Sequence, residues 1–235
     1  MTSTWRQAAA VLVADLRRIF ADRLRSLVAY GPRIEGEGEA PLTCLALVGS
    51  LAMGDLEACA RMARQWRRQA LAVPLILPDQ EFRRSLDAFP LEYTEILRAH
   101  EGVFGADPFE GASISQEDLR RACEAQVKSH LVHLREGFIE TGARPQAISD
   151  LVNRSAPAFG GLLRHVARLK GSPSATRAGA TREGARAAGL SEGVVTDILE
   201  IERQPSIPTT DAARLFPQYL AAVEQLARAV DGWRT

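Results

Sequence analysis

Hydrophobic residues recur at helical spacing near the start of the chain and are followed by two short apolar runs. Thr4–Leu24 carries apolar side chains three or four positions apart with charged residues between them, which predicts an amphipathic helix. Ser26–Tyr30 is a short apolar run that stops at Gly31-Pro32, and Leu42–Val48 is a second run bounded by a proline and a glycine. The lengths and boundaries of these two runs predict buried β-strands.

The next segment alternates helical and strand-like patterns. Asp55–Gln69 has apolar residues at helical spacing, and Val73–Leu77 is a third short apolar run. Leu91–Ile96, which follows a turn-like stretch, predicts a fourth strand. This order of elements favours an α/β (α+β) fold with a small mixed sheet and helices packed on it.

The second half of the chain has only helical patterns. Ser115–Glu140 opens with a serine followed three positions later by an acidic residue, which resembles a capping box at the start of a long helix. Ala147–Lys170 and Asp211–Trp233 are two further amphipathic segments. The stretch 171–189 is rich in Ser, Gly, Ala and Arg and is compatible with a short helix with loose ends.

This change in character predicts two domains in a chain of 235 residues. Residues 1–110 would form the sheet-containing domain, and residues 111–235 would form a helical bundle. The hydrophobic fraction of 46% and the charged fraction of 25% are ordinary for a globular protein. Lys+Arg and Asp+Glu both number 29, so the chain lacks the net positive charge typical of a nucleic-acid binder, and we do not expect nucleic acid as a partner.

The three cysteines indicate a reducing environment. Cys44, Cys59 and Cys123 are odd in number, widely spaced and without a histidine at zinc-site spacing, so we expect buried, reduced thiols. The N-terminal segment is amphipathic rather than continuously apolar, which supports neither a signal peptide nor a membrane span. A cytoplasmic protein without membrane contact is therefore the expectation.

One short motif resembles a known enzyme superfamily. Tyr30-Gly31-Pro32-Arg33 follows the first strand and precedes the second. This arrangement resembles the nucleotidyltransferase superfamily, which includes aminoglycoside nucleotidyltransferases and polymerase-β-like enzymes. In that family the first strand ends in a hydrophobic residue followed by Gly-Ser, and the second carries two acidic residues around one hydrophobic residue. Phe89–Ile96 and Gly105–Pro108 also resemble a subgroup with a helical C-terminal half, so the resemblance extends over 24–168.

The resemblance implies a metal site whose residues are replaced in this chain. In the family, the paired carboxylates hold Mg²⁺ on the nucleotide, and the Gly-Ser turn lets backbone amides and a hydroxyl approach the phosphates. Here the serine position is Pro32, which has neither a hydroxyl nor a backbone donor. Nine residues separate Pro32 from Leu42, and this spacing assigns the two carboxylate positions to Leu42 and Cys44. A leucine offers no ligand atom, and a soft thiol does not suit Mg²⁺.

Other acidic residues leave an active alternative open. Glu92 matches a third acidic residue of the family site, and Glu35, Glu37 and Glu39 lie in the loop between the first two strands. They could supply oxygen ligands to Mg²⁺, although a glycine-spaced loop holds a metal less accurately than strands do. We favour a solvated acidic turn.

Two groups of residues in predicted helices also suggest binding sites. His130 and His133 are three residues apart and could hold a metal with Glu136 or Glu124, but we favour a polar helix face. Two arginine-rich stretches could bind an anion or RNA, although solvated faces with local salt bridges are the preferred interpretation. The members of these stretches are Arg61, Arg64, Arg67 and Arg68, and then Arg164, Arg168 and Lys170.

Three functional hypotheses follow from these patterns. The first is a catalytically inactive nucleotidyltransferase-like protein that binds a small molecule, a nucleotide or a protein partner and needs no cofactor. Its candidate ligand-binding residues are Tyr30, Gly31, Arg33 and Glu92. The second is an active nucleotidyltransferase that uses Mg²⁺ and modifies a small hydroxylated acceptor. The third is a structural interaction protein, for example a homodimer formed through the long helices.

Overall fold

The computed structural model describes residues 4–36, 40–172, 174, 176–203 and 209–233. It divides into two compact units, Met1–Ser115 and Gln116–Thr235. The first unit contains α1 (Thr4–Phe20), a 3-10 helix (Ala21–Arg23), β1 (Leu24–Tyr30), β2 (Thr43–Val48), α2 (Met53–Arg68), β3 (Leu75–Pro78), α3 (Asp79–Arg84), α4 (Pro90–Arg98) and β4 (His100–Gly105). The second contains α5 (Gln116–Glu140), α6 (Pro145–Leu169), α7 (Arg177–Ala187), α8 (Glu192–Arg203) and α9 (Thr209–Gly232).

The strands of the first unit form one mixed sheet in the order β3-β2-β1-β4. β1 pairs antiparallel with β2 and with β4, and β2 pairs parallel with β3. Tyr30, the last residue of β1, lies between Thr43 of β2 and His100 of β4. The predicted α/β class, with a small mixed sheet followed by helices, is confirmed.

The two faces of this sheet are covered by different hydrophobic clusters. On the face that we call the α1/α2 face, Ala29, Leu42 and Cys44 pack against α1 and α2, where Trp66 donates its indole N–H to Asp15 over 3.0 Å. The opposite face, which we call the Tyr30 face, packs against α3, α4 and the segment after β4. Its cluster contains Val28, Leu45, Leu47, Phe82, Tyr93, Ile96 and Phe109, with Tyr30 partly buried beside them.

Two elements of the first unit differ from the sequence prediction. Leu91–Ile96 was predicted as a strand and is part of helix α4, so that prediction is wrong. Pro90 begins this helix, where its fixed φ and missing N–H are tolerated, and Leu91, Tyr93 and Ile96 are buried. The fourth strand is instead His100–Gly105, a largely exposed edge strand without an apolar pattern of its own.

The helical unit is organised around α6, which packs against the other four helices that the structure describes there. α7 crosses α6 at Gly184, where an added Cβ would lie 1.8 Å from the carbonyl oxygen of Leu163. The buried Arg164 of α6 donates to Glu202 of α8 over 2.9 Å and to Thr181 of α7 over 3.2 Å. None of the helices in the described ranges is long and apolar enough to cross a membrane.

The close approach of α7 to α6 gives a direct test of this packing. We expect Gly184→Ala to lower the free energy of unfolding by about 1–3 kcal/mol, because the new methyl group must displace the Leu163 backbone. Gly193→Ala is the matched control in α8, because no described atom beyond its chain neighbours and its own helix backbone lies within 4 Å of its added Cβ. Urea unfolding of the intact chain measures both variants. Equal stability of the two variants would contradict the close contact.

Candidate functional site

The turn after β1 is shaped by Gly31 and Thr43. Gly31 has φ of 85°, a left-handed conformation that favours glycine. The Thr43 hydroxyl donates to the carbonyl oxygen of Tyr30 over 2.6 Å, and a Cβ added at Gly31 would lie 2.8 Å from that hydroxyl oxygen. The backbone then makes a tight turn, in which Ile34 donates its N–H to the Gly31 carbonyl over 3.1 Å. Gly31 is therefore required both by its φ and by the contact with Thr43.

A row of three side chains crosses the sheet next to this turn. Thr43, Tyr30 and His100 are neighbours on β2, β1 and β4. The imidazole Nδ1 of His100 is 3.0 Å from the Ile96 carbonyl oxygen, and its Nε2 is 3.1 Å from Oδ1 of Asp107. Both ring nitrogens therefore face oxygen atoms, which fixes the orientation of the ring. Burial raises the pKa of the Tyr30 phenol, which keeps it protonated and able to donate a hydrogen bond at neutral pH.

An aromatic cluster covers the Tyr30 face beyond this row. The Phe82 ring meets Tyr93 edge-on with the ring centres 5.2 Å apart, and it meets Phe109 edge-on at 5.3 Å. The Tyr93 hydroxyl is 2.7 Å from the hydroxyl of Ser85. Leu45 lies under this cluster with no exposed surface. The centre of the Tyr30 face is thus apolar and closed by side chains of its own unit.

The two residues that sequence spacing assigned to the carboxylate positions lie on the other side of the sheet. Leu42 and Cys44 belong to the α1/α2 face and are 0% and 1% exposed. Burial raises the pKa of the Cys44 thiol to about 12, so this cysteine is an inert thiol. Strand alternation instead places Thr43 and Leu45 on the Tyr30 face. The pairing of Tyr30 with Thr43 thus puts these two side chains, rather than Leu42 and Cys44, on the same face as Tyr30.

The structure separates the remaining candidate ligand residues. Arg33 donates to the carbonyl oxygen of Ala70 over 3.0 Å, which ties the turn after β1 to the loop after α2. Glu92 is exposed in the first turn of α4. Pro32 is partly buried in the turn itself. Of these candidates, Tyr30 and Gly31 are brought together with Thr43.

Of the three glutamates in the loop between β1 and β2, the structure describes only Glu35. Glu35 forms an ion pair with Arg98 of α4, which compensates its charge. Glu37 and Glu39 lie outside the described residues. Within the part of the chain that the structure describes, no group of three or more His, Cys, Asp or Glu side chains is arranged to hold a metal ion.

The two histidines of α5 do not share an environment. The Nε2 atom of His130 is 2.8 Å from the Tyr219 hydroxyl oxygen, and its ring stacks on Phe159 inside the helical unit. Burial lowers the pKa of His130 to about 4. His133 is exposed and contacts Glu136 over 3.2 Å. Thus His130 packs in the bundle and only His133 belongs to the polar helix face expected from the sequence.

The two arginine-rich stretches also differ from each other. The four arginines of α2 are exposed, as expected for a solvated face. Arg164, in contrast, is buried and holds α6 to α7 and α8, so the interpretation as a solvated residue is wrong for this position. Its pairing with Glu202 compensates its charge, as a buried guanidinium requires.

The sheet of the first unit, the helices on its faces and the helical unit that follows define an α/β nucleotidyltransferase-like fold. Among solved structures, the chain is similar to the crystal structure of spectinomycin adenyltransferase AAD(9) from Enterococcus faecialis with ATP and spectinomycin, with a TM-score of 0.61. The similarity covers 96% of this chain and 98% of that chain at 13% sequence identity. No protein-family model and no curated protein matches the sequence. At this identity the similarity establishes the fold and not the activity.

The turn after β1 can be tested with two glycine variants. We expect Gly31→Ala to destabilise the protein by at least about 1 kcal/mol more than Gly36→Ala, because only Gly31 combines a positive φ with a close neighbour. Gly36 has φ of 79°, and no described atom beyond its chain neighbours lies within 4 Å of its added Cβ, so it isolates the backbone contribution. Denaturant unfolding measures the difference. Identical losses would show that the Thr43 hydroxyl does not restrict this turn.

The buried histidines give a prediction for pH. Burial lowers the pKa of His130 and of His165 to about 4, so the unfolded chain binds protons below pH 6.5 that the folded chain excludes. Their contribution to stability is complete above pH 6.5 and is lost as the pH falls towards 4. Between pH 6.5 and 5 we expect each histidine to lower the free energy of unfolding by up to about 1.4 kcal/mol per pH unit.

Histidine variants separate this effect from the titration of other groups. His130→Gln should reduce the pH slope by about one proton in urea unfolding experiments. His133→Gln is the matched control, because the His133 side chain is exposed on the same helix rather than packed in the bundle. A slope that decreases equally in both variants would contradict the burial of His130.

Proposed function

We propose that this protein is a nucleotidyltransferase-like protein that does not catalyse nucleotidyl transfer and acts as a ligand-binding or protein-interaction module. The observation that carries this proposal is the apolar Tyr30 face, on which Leu45 lies under Phe82, Tyr93 and Phe109. Nucleotidyl transfer depends on Mg²⁺ to neutralise the phosphates, and Mg²⁺ binds oxygen ligands, especially carboxylates.

The residues at the turn after β1 do not fit Mg²⁺. Leu45 has no ligand atom, and Thr43, whose hydroxyl donates to the Tyr30 carbonyl, offers a neutral oxygen rather than a carboxylate. A proline at position 32 contributes neither a hydroxyl nor a backbone N–H to bind phosphate. The residues beside this turn therefore lack the pair of carboxylate ligands on one face of a strand that magnesium-dependent nucleotidyl transfer requires.

The nearby glutamates do not compensate for this loss. The Arg98 guanidinium already neutralises Glu35, and drawing Glu35 to a metal would leave Arg98 without that partner. Glu92 is a single exposed carboxylate at the start of α4. One carboxylate on its own is a poor ligand set for an ion that demands octahedral oxygen coordination.

The closed apolar face also argues against a simple rescue by side-chain movement. Opening the cluster would expose Leu45, Phe82 and Tyr93, each of which is almost completely buried. Exposing one such side chain costs about 1.5–3 kcal/mol, and the cost increases with each additional residue. A metal-bound nucleotide without carboxylate ligands offers little to offset this cost.

A ligand or partner can still use the edge of this face. The spectinomycin adenyltransferase structure contains ATP and spectinomycin. By analogy with that structure, we propose that a nucleotide or a small hydroxylated molecule binds near Tyr30 and Gly31, with Arg33 and Glu92 as further candidates. The partly buried Tyr30 phenol supplies a hydrogen-bond donor without any metal cofactor. The alternative functions are an active Mg²⁺-dependent transferase and a homo-oligomeric interaction protein.

Calorimetric titration with ATP, with and without Mg²⁺, separates the proposed function from an active Mg²⁺-dependent transferase. We expect the wild-type protein to show no difference between ATP in Mg²⁺ and ATP in a chelator, because the Tyr30 face offers no carboxylate pair. An active nucleotidyltransferase titrated in parallel confirms that the ligand is competent. Magnesium-dependent binding in the micromolar range would contradict the proposal.

The glutamate variants identify the source of any such binding. Glu92→Gln and Glu35→Gln each remove one candidate metal ligand, and Glu101→Gln, on the edge strand β4, is the control. We expect all three variants to behave as the wild type does. Loss of magnesium-dependent ATP binding in the first two variants but not in the control would support the active transferase.

A further inference from the structure

A cavity within the helical unit is separate from the Tyr30 face. It lies between α7 and α8 and has a volume of about 280 Å³. Its apolar floor is formed by Ala185, Leu190 and Val195, which are 2%, 8% and 4% exposed. Ligand pockets commonly begin at about 300 Å³, so this cavity suits a small molecule.

Two arginines line the mouth of this cavity. Arg182 and Arg186 are four residues apart on α7, so they share one side of the helix, and both are exposed. In the described ranges neither arginine has a salt bridge within 4.0 Å. Both guanidinium groups are therefore available to an anion.

The opposite wall, on α8, limits the charge that this anion can carry. Glu192 lines the cavity together with Thr196, whose hydroxyl donates to the Glu192 carbonyl oxygen over 2.9 Å. Two guanidinium groups and one carboxylate give the cavity a net charge of about +1. A doubly charged phosphate would exceed the net positive charge of the cavity and would be repelled by the Glu192 carboxylate. A monoanion brings the net charge of the occupied cavity to about zero.

We propose that this cavity binds a monocarboxylate on a short apolar body. The carboxylate accepts hydrogen bonds from Arg182 and Arg186, whose planar guanidinium groups match a carboxylate in geometry. The hydrocarbon part lies on the floor formed by Ala185, Leu190 and Val195. Thr196 retains an acceptor oxygen, which lets it receive a hydrogen bond from a ligand hydroxyl.

This site does not depend on the function proposed for the Tyr30 face. Its residues all belong to α7, α8 and the turn between them in the second unit. A failure to bind a carboxylate in this cavity would say nothing about nucleotide binding at the Tyr30 face. Magnesium-dependent nucleotide binding would overturn the function proposed for the Tyr30 face and would leave carboxylate binding in this cavity untouched. The two proposals therefore fail independently.

The test uses sodium hexanoate as the probe and the full-length chain. We expect calorimetry to give a dissociation constant on the order of 1 mM, as is reasonable for a ligand with so few atoms. The double variant Arg182→Gln/Arg186→Gln should bind at least about tenfold more weakly, because it loses both charge-assisted hydrogen bonds. Inorganic phosphate at the same ionic strength should bind more weakly than hexanoate.

A matched control separates this cavity from general charge effects. Arg203→Gln/Arg228→Gln removes the same charge from exposed positions of α8 and α9 that do not line the cavity. We expect this variant to bind hexanoate as the wild type does. In NMR spectra, hexanoate should shift the methyl resonances of Leu190 and Val195 in the wild type and in this control.

Three results would overturn the proposal. The first is absence of hexanoate binding to the wild type. The second is an equal loss of binding in both double variants, which would indicate a non-specific charge effect. The third is phosphate binding as tight as hexanoate binding, which would contradict the monoanion preference.

Discussion

The pairing of Tyr30 with Thr43 determines which side chains of β2 face each side of the sheet. Because side chains alternate along a strand, this single register directs Leu42 and Cys44 towards α1 and α2, and directs Thr43 and Leu45 towards α3 and α4. A shift of one residue would exchange the two sets. The register is stabilised by burial on both faces and by the hydrogen bond from Thr43 to the Tyr30 carbonyl. The chemistry available at the turn follows from it.

In the function that we propose, the lack of a carboxylate pair on the Tyr30 face is linked to the apolar packing of that face. A pair of carboxylates on this face would need a metal or strong hydrogen-bond donors, since buried charge is costly without a partner. Leu45 removes that requirement, and the rings of Phe82, Tyr93 and Phe109 can then pack directly on the sheet. In the function that we propose, the hydrophobic packing that stabilises the unit and the lack of carboxylate ligands beside Tyr30 thus have the same structural origin.

Local sequence patterns predicted most of the fold. β1 and β2 are apolar runs bounded by turn residues, and the long helices have clear apolar faces. Each of these elements can therefore be predicted from its local sequence pattern. α4 was missed because its short segment alternates Leu91 and Tyr93 as a strand would, although Pro90 is typical of the first turn of a helix. β4 was missed because it contains Gly102 and the exposed Glu101, and it is a strand only through pairing with β1.

The site was harder to predict because its contacts are distant along the chain. Loops that connect two strands vary in length and shape. Counting residues from Pro32 therefore could not determine which β2 residues lie beside Tyr30. The ion pair of Glu35 with Arg98 joins residues 63 positions apart, and no local pattern indicates it. The burial of His130 beside Tyr219 is also a tertiary contact that helical spacing alone does not reveal.

The most direct measurement is NMR relaxation of methyl groups in the presence of Mn²⁺ alone, since Mn²⁺ binds oxygen ligands as Mg²⁺ does and broadens nearby resonances. A closed apolar Tyr30 face without a metal site predicts that Leu45 and Val28 broaden no more than Leu12 and Leu16 of α1. Selective broadening of Leu45 and Val28 by Mn²⁺ would place a metal ion on this face and contradict the account.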